Sequence, residues 1–274
     1  MNSLLADLLF PHITESVESI EAKYPPRTLP EGAKVTRFAP SPTGFVHFGG
    51  MYQVMIGERL AHQSGGVFFL RIEDTDAKRE VEGAAQGVIR TLSHYGAEFD
   101  EGASIGEDGS IVSKGIYGPF KQSQRALIYQ TYAKKLVAEG KAYPVFTTAE
   151  ELEEALAVDK KEENKTKDWS ATAEEARKEM LANRQFTIEE VKAQLEAGHP
   201  FVLRILSDGD GEKKVKVVDQ IKGALELPEN DEDFVLLKSD GIPTYHFAHA
   251  VDDHLMARRT SSAVRNGSRA LQSI

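Results

Sequence analysis

Residues 37–50 read Arg37-Phe38-Ala39-Pro40-Ser41-Pro42-Thr43-Gly44-Phe45-Val46-His47-Phe48-Gly49-Gly50. The stretch Val35 to Phe38 before the turn has the character of a short strand. A helical spacing (Met51, Val54, Met55, Leu60) starts near Gly50 and stops at Gly65-Gly66. Between strand and helix, Pro40 and Pro42 stiffen the chain, and Gly44 supplies the freedom that a sharp bend or a close approach to a ligand requires. A strand, a tight turn and a helix N-terminus bring backbone N–H groups and the positive end of a helix dipole to one point, the local geometry that cradles a nucleotide phosphate. His47 and the backbone around Gly49 face whatever sits at that helix start.

Outward from this run the pattern is that of a layered α/β fold. Val67-Phe68-Phe69-Leu70-Arg71-Ile72 is a nearly continuous apolar stretch, as in a strand buried on both faces of a parallel sheet. Asp74-Thr75-Asp76 is suited to cap a following helix that runs to about Tyr95. Strand, helix, strand, helix opens a doubly wound nucleotide-binding sheet. Before it, residues 1–34 read as a short amphipathic helix (Leu4, Leu5, Leu8, Leu9, then Ile13, Val17, Ile20) ended by Pro25-Pro26, a packing extension. After it, Lys121 to about Glu196 reads as helical and charged, with a solvated Lys/Glu-rich run over 159–168. Phe201–Leu206 and Lys214–Val218 read as strands around the Asp208-Gly209-Asp210-Gly211 turn. Asp233–Leu237 and Thr244–Val251 read as strands or buried segments. An α+β insertion therefore interrupts the sheet.

Composition narrows the function classes. The 274 residues suffice for one large or two modest domains, and 41% hydrophobic with 28% charged residues is ordinary for a globular protein. The sequence has no cysteine, which excludes disulfides and thiolate-bound zinc. No apolar run is long enough to span a membrane, and the start lacks a basic region and carries Asp7, so the cytoplasm is the expected compartment. The net charge of −10 argues weakly against nucleic-acid binding, which needs only a local basic surface.

The run from Arg37 to Gly50 resembles, nearly letter for letter, the first signature segment of class I glutamate–tRNA ligases (glutamyl-tRNA synthetases). There the His-Ile-Gly-His-type motif appears as His-x-Gly-Gly, here His47, Phe48, Gly49 and Gly50. The resemblance covers about residues 35–256. It includes Arg71-Ile72-Glu73-Asp74-Thr75-Asp76, Tyr117 to Arg125, Asp219 to Gly223, Asp233 to Tyr245 and Val251-Asp252-Asp253-His254-Leu255-Met256. It implies a Rossmann-like doubly wound parallel sheet, incomplete here and interrupted by an acceptor-stem-binding insertion. The implied boundaries are a helical extension over 1–34, the first part of the catalytic domain over 35–118, the insertion over 119–232, a return to the catalytic domain over 233–256 and a divergent tail over 257–274.

The implied activity is ATP-dependent attachment of glutamate to its tRNA through glutamyl-adenylate. By the same resemblance, His47 and Gly49 are catalytic, and Pro42, Thr43, Gly44, His47, Gly49 and Gly50 bind ATP. Arg37, Ala39, Ser41, Glu73, Tyr245 and His249 hold glutamate, with Glu73 meeting the α-ammonium group; His249 stands where many members have asparagine. Lys121 and Arg125 are candidate contacts to the tRNA acceptor stem. Magnesium would accompany ATP. No zinc or other metal site is expected, the Asp252-Asp253-His254 cluster being accounted for by the likeness. A monomer is expected. The rival readings are a glutamyl transferase acting on a modified tRNA nucleoside, whose members often carry zinc-binding cysteines, and a non-catalytic module that binds tRNA or a partner. A glutaminyl-tRNA ligase is disfavoured by the whole-segment likeness.

The tail after Met256 does not continue the likeness. The family proceeds with a pocket arginine and a Lys-Met-Ser-Lys-Ser-type loop, neither of which this sequence contains. Back-translating Arg258 to Ile274 and regrouping the bases by one frame permits Thr-His-Val-Ile-Arg-Gly-Ala-Glu-Trp-Leu-Pro-Ser-Thr-Pro-Lys-His, which resembles the family's continuation. The expectation is a shifted reading frame near Ala257. As written, the chain is then an inactive N-terminal fragment with poor solubility and negligible tRNA charging. DNA sequencing across this region checks it: codons for 258–274 that cannot regroup in this way would reject the frame shift.

Overall fold

The apolar run read at 67–72 forms the second strand of a four-stranded sheet, ordered β1 (Val35–Phe38), β2 (Val67–Leu70), β3 (Glu101–Ile105) and β4 (Ile111–Lys114). The computed structural model describes residues 2–76, 80–146, 184, 186–219 and 223–257. β1 pairs with β2 and β2 with β3 in parallel, with Val35 opposite Val67 and Phe38 opposite Leu70, and β4 is an antiparallel edge. Phe68, Phe69 and Leu70 are buried because helices cover the sheet, as parallel strands require. One helix, Phe48–Gln63, lies so close that its Gly57 carbonyl accepts the Thr36 hydroxyl at 2.7 Å. β3 also needs a glycine. Gly102 has φ +129°, and a Cβ there would stand 2.4 Å from the Leu70 carbonyl oxygen.

Two units partition the chain. One comprises Glu15–Tyr129 with the segment from Tyr245, and the other Met1–Thr14 with Gln130–Thr244. The second unit holds an antiparallel sheet of Ala142–Phe146, Phe201–Ile205 and Val235–Leu237, and a hairpin of Lys214–Asp219 with Gly223–Pro228. Buried Asp233 organises it, accepting from the Tyr143 hydroxyl (2.7 Å), Arg184 Nε (2.7 Å) and the Ser207 N–H (2.8 Å). Burial and Asp233 push the Tyr143 hydroxyl up to about 12.

Several readings change. The N-terminal stretch is two helices, Asn2–Leu9 and Val17–Ala22, broken after Phe10 by Pro11, whose missing N–H and fixed φ stop a helix. Ala142–Phe146 is a strand inside the region read as helical, and 159–168 lies outside the described residues. Asp74 does not cap the helix ending near Tyr95, which starts at Ala84 after left-handed Gly83. Its Oδ1 instead accepts the Ser123 N–H at 2.8 Å, bracing the 3-10 turn Gln122–Arg125. The segment read as a strand or a buried segment over 244–251 is a partly buried helix, Tyr245–Leu255. Its buried residues Phe247, Ala248, Val251 and Leu255 have helical spacing.

That helix is tied to the parallel sheet by Asp252, whose side chain is fully buried. Asp252 accepts from Arg125 Nε (2.7 Å), Gln122 Nε2 (2.8 Å) and the Tyr129 hydroxyl (2.9 Å), and Arg71 Nε stands 3.6 Å away. Arg27 holds the helix end, donating from Nε to the Met256 carbonyl at 3.1 Å while its fork grips Glu101 at 2.8 Å. Beside Arg27, Tyr24 and Leu29 pack against the core of this unit. Asp252→Ala leaves two buried guanidinium groups undercompensated and is expected to destabilise this unit by about 3–5 kcal/mol. Denaturant unfolding measures it, and a loss below about 1 kcal/mol would show that Asp252 does not anchor the helix.

Candidate active site

The carboxyl ends of β1 and β2 lie side by side, where open α/β sheets bind ligands. Beyond the strands the pairing continues: the Arg71 N–H donates to the Phe38 carbonyl at 3.0 Å, and the Glu73 N–H to the Pro40 carbonyl at 3.0 Å. Pro40 and Pro42 lack donors but use their carbonyls, Pro42 accepting the Val81 N–H at 3.1 Å. This register brings Arg37, Arg71 and Glu73 to one edge. The helix Tyr245–Leu255 adds Tyr245, His249 and Asp253.

Arg71 is the centre of the cluster and is fully buried. It donates to Glu73 Oε1 from Nη2 (2.7 Å) and Nε (3.3 Å), and to Asp253 Oδ1 from Nη1 (2.9 Å). Burial works against its charge, but Asp252, Glu73 and Asp253 outweigh that and hold its pKa above the ordinary arginine range. Glu73 is thereby fixed in place, and its Oε2 has no partner among the described residues. Arg37 donates to Asp253 from Nε (2.8 Å) and Nη2 (3.4 Å), and Nη2 also meets His249 Nδ1 at 2.9 Å. His249 Nε2 lies 3.0 Å from Asp253 Oδ2, and Nδ1 lies 3.9 Å from Glu73 Oε1. Tyr245, half exposed, stands edge-on to His249 with ring centroids 5.2 Å apart. Burial and then Glu73 raise the Tyr245 hydroxyl pKa, keeping it a donor.

The other half of the edge is more open. His47 is exposed and occupies the N-cap of the helix Phe48–Gln63 without a side-chain capping bond. The Gly50 N–H is engaged by the His47 carbonyl at 2.9 Å, which removes it as a phosphate donor. Gly44 takes φ +147°, the bend its position in the turn calls for. Ser41, Thr43 and Gly49 are exposed, Ala39, Gly44 and Gly50 half-buried and Pro42 buried.

The two candidate tRNA contacts fare differently. Arg125 is wholly buried, giving Nε to Asp252 and Nη1 to the Pro119 carbonyl (3.0 Å) and Tyr24 hydroxyl (3.1 Å). It offers no donor to a surface phosphate and is a structural residue. Lys121 keeps 24% of its side chain exposed, with Nζ 3.2 Å from Asp74 and 3.6 Å from Glu80.

Three functional neighbours went unrecognised in the sequence: Arg71, Asp252 and Asp253. With the segment read as a helix, His249 and Asp253 fall four residues apart on one face, a spacing that pairs side chains. Asp252 and Asp253 serve arginines, and among the described residues no group of three or more histidine and acidic side chains could hold a metal ion. No helix among the described residues is long and apolar enough to cross a membrane.

Comparison with known proteins identifies the family of the chain. The glutamate–tRNA ligase of Clostridium perfringens (strain 13 / Type A) is 50% identical over 261 residues, covering 95% of this chain and 45% of the relative. That of Acetivibrio thermocellus is 51% identical over 263 residues, with the same coverage. The chain thus spans less than half the length of these relatives. A crystal structure of glutamate-tRNA synthetase from Elizabethkingia anophelis superposes with a TM-score of 0.64 at 33% identity, covering 82% of this chain and 43% of that one. A glutamate tRNA ligase from Elizabethkingia meningosepticum, solved in complex with its amino acid, gives 0.63 at 34% identity. The family model for class I tRNA synthetases (E and Q), catalytic domain, matches residues 34–262, and this chain belongs to that family.

Proposed function

We propose that this chain provides the glutamate and ATP side of a glutamate–tRNA ligase. The observation that carries the reading is the cluster of Arg37 and Glu73 at the carboxyl ends of adjacent parallel strands, next to a proline-stiffened turn opening a helix at His47. Glu73 Oε2 is suited to receive the substrate α-ammonium, and Arg37 a carboxylate. Tyr245, His249, Ala39 and Ser41 line the same edge. In the activation step a glutamate carboxylate oxygen attacks the α-phosphorus of ATP, and pyrophosphate leaves. The His47 ring N–H and the positive end of the helix around Gly49 face the point where charge builds on the α-phosphate. Pro42, Thr43 and Gly44 shape the approach to that point. Magnesium arrives on the ATP phosphates as part of the substrate. The terminal ribose hydroxyl of the glutamate tRNA then attacks the activated carbonyl carbon, releasing AMP. Lys121 reaches a tRNA phosphate only by leaving Asp74 and Glu80.

Calorimetric titration of the purified chain with glutamate, glutamine and aspartate tests the pocket, and glutamate-dependent ATP–pyrophosphate exchange separates an enzyme from a binding module. Glutamate is expected to bind with at least tenfold preference. Glu73→Gln, which removes the charge facing the ammonium, is expected to weaken it by roughly tenfold or more. Absence of glutamate binding by the intact chain would overturn the reading.

A further inference from the structure

Asp253 is shared by Arg37, Arg71 and His249. Its Oδ1 accepts from Arg37 Nε at 2.8 Å and Arg71 Nη1 at 2.9 Å, and its Oδ2 stands 3.4 Å from Arg37 Nη2 and 3.0 Å from His249 Nε2. It therefore joins β1, the end of β2 and the helix Tyr245–Leu255 at one carboxylate.

The consequence lies in Arg37. A guanidinium on a long flexible stem recognises a carboxylate well only when its plane is fixed beforehand. Asp253 grips the Nε–Nη2 edge of the fork, and Nη1 carries no partner among the described residues. Asp253 cannot follow Arg37 if it swings, because Arg71, fully buried, and His249 hold the same carboxylate. Both partners are mostly shielded, with 10% of the Arg37 side chain and 17% of the Asp253 side chain exposed, so water competes little for the pair.

We propose that Asp253 is a positioning residue: it locks one edge of the Arg37 fork so that Nη1 is aimed at a substrate carboxylate. This rests on the glutamate reading above for the identity of the carboxylate, but not for the locking itself. The two roles open to Asp253 have opposite signs. As a mere negative charge it repels an anionic substrate, and removing it tightens binding. As a positioning residue it sets the geometry, and removing it loosens binding.

The test uses the full chain and its Asp253→Ala variant, with Asp253→Asn, which keeps an acceptor oxygen, standing in where the alanine variant fails to fold. The Arg37 Nε–H resonance, assigned by its loss in Arg37→Lys, is read by NMR. A shifted, slowly exchanging signal is expected in the parent, collapsing to the exposed-arginine position in the variant. Glutamate titration is expected to weaken roughly tenfold, while ATP binding stays within twofold, a split that general destabilisation does not produce. An Arg37 signal unchanged by Asp253→Ala, or glutamate bound equally or more tightly by the variant, overturns the proposal. If the parent binds no glutamate yet its Arg37 signal collapses in the variant, the substrate reading fails and the positioning role stands.

Discussion

Keeping Arg71 charged inside the protein is the constraint around which the site is arranged. A guanidinium removed from water faces a desolvation penalty of several kcal/mol, and only close carboxylates with good hydrogen bonds offset it. Arg71 obtains three: Glu73 two residues along the chain, and Asp252 and Asp253 from a helix about 180 residues away. Arg125, equally buried, leans on Asp252 as well. Burial works against its charge, yet Asp252 outweighs this and raises its pKa. Tyr129 completes the set: burial and then Asp252 push its hydroxyl well above the ordinary range, so it stays a donor. The compensation is incomplete, since Gln122 Oε1 and Arg125 Nη2 are buried without hydrogen-bond partners among the described residues. A network of this kind is a poor source of net stability but a strong selector of one arrangement, because any other leaves a buried charge alone.

The same network prepares the ligand-facing groups. Glu73 is both counter-ion to Arg71 and the carboxylate presented at the edge; Asp253 is both counter-ion and brace for Arg37. The edge proposed to hold the amino acid is therefore preformed, in the sense that its side chains have their orientations set by buried partners. The edge proposed to hold the phosphates is built differently. His47, Ser41 and Thr43 are exposed, and Phe45 and Phe48 beside them are 94% and 88% exposed. On the proposed function, recognition of the amino acid and stabilisation of the phosphate draw on two physical regimes, the first on fixed ion pairs and the second on a turn and a helix start.

Much of this was legible in the sequence, for local reasons. β1 falls at Val35–Phe38 as read, and the core of the apolar run at 67–72 is β2, because burial on both faces leaves little room for polar residues. The turn and helix start at 44–48 follow from proline and glycine chemistry. What escaped depended on distance or on ambiguity. The run Tyr245-His246-Phe247-Ala248-His249 is short, aromatic and β-like in propensity, and only its continuation through Val251 and Leu255 reveals the helical period. Read as a strand or a buried segment ending at Val251, it gave no reason to pair His249 with Asp253. The pairs Arg71–Asp253 and Arg37–Asp253, 182 and 216 residues apart, leave no local trace. Arg125 sat beside Lys121 in a basic-looking stretch, and nothing in that stretch shows that a distant Asp252 draws it inward.

The net charge of −10 takes on a different meaning once the cations are placed. Arg27, Arg37, Arg71 and Arg125 are each paired with a carboxylate of the same unit. They contribute little to a long-range basic surface, since each is neutralised at contact distance. An acidic chain can still recognise an anion, because what the anion meets is not the sum of charges but the orientation of a few donors in a shielded place. At this edge that orientation is set by acids: Glu73, Asp252 and Asp253 hold Arg37 and Arg71 in place, and the four arginines and their four carboxylates cancel, so the net charge arises elsewhere in the chain.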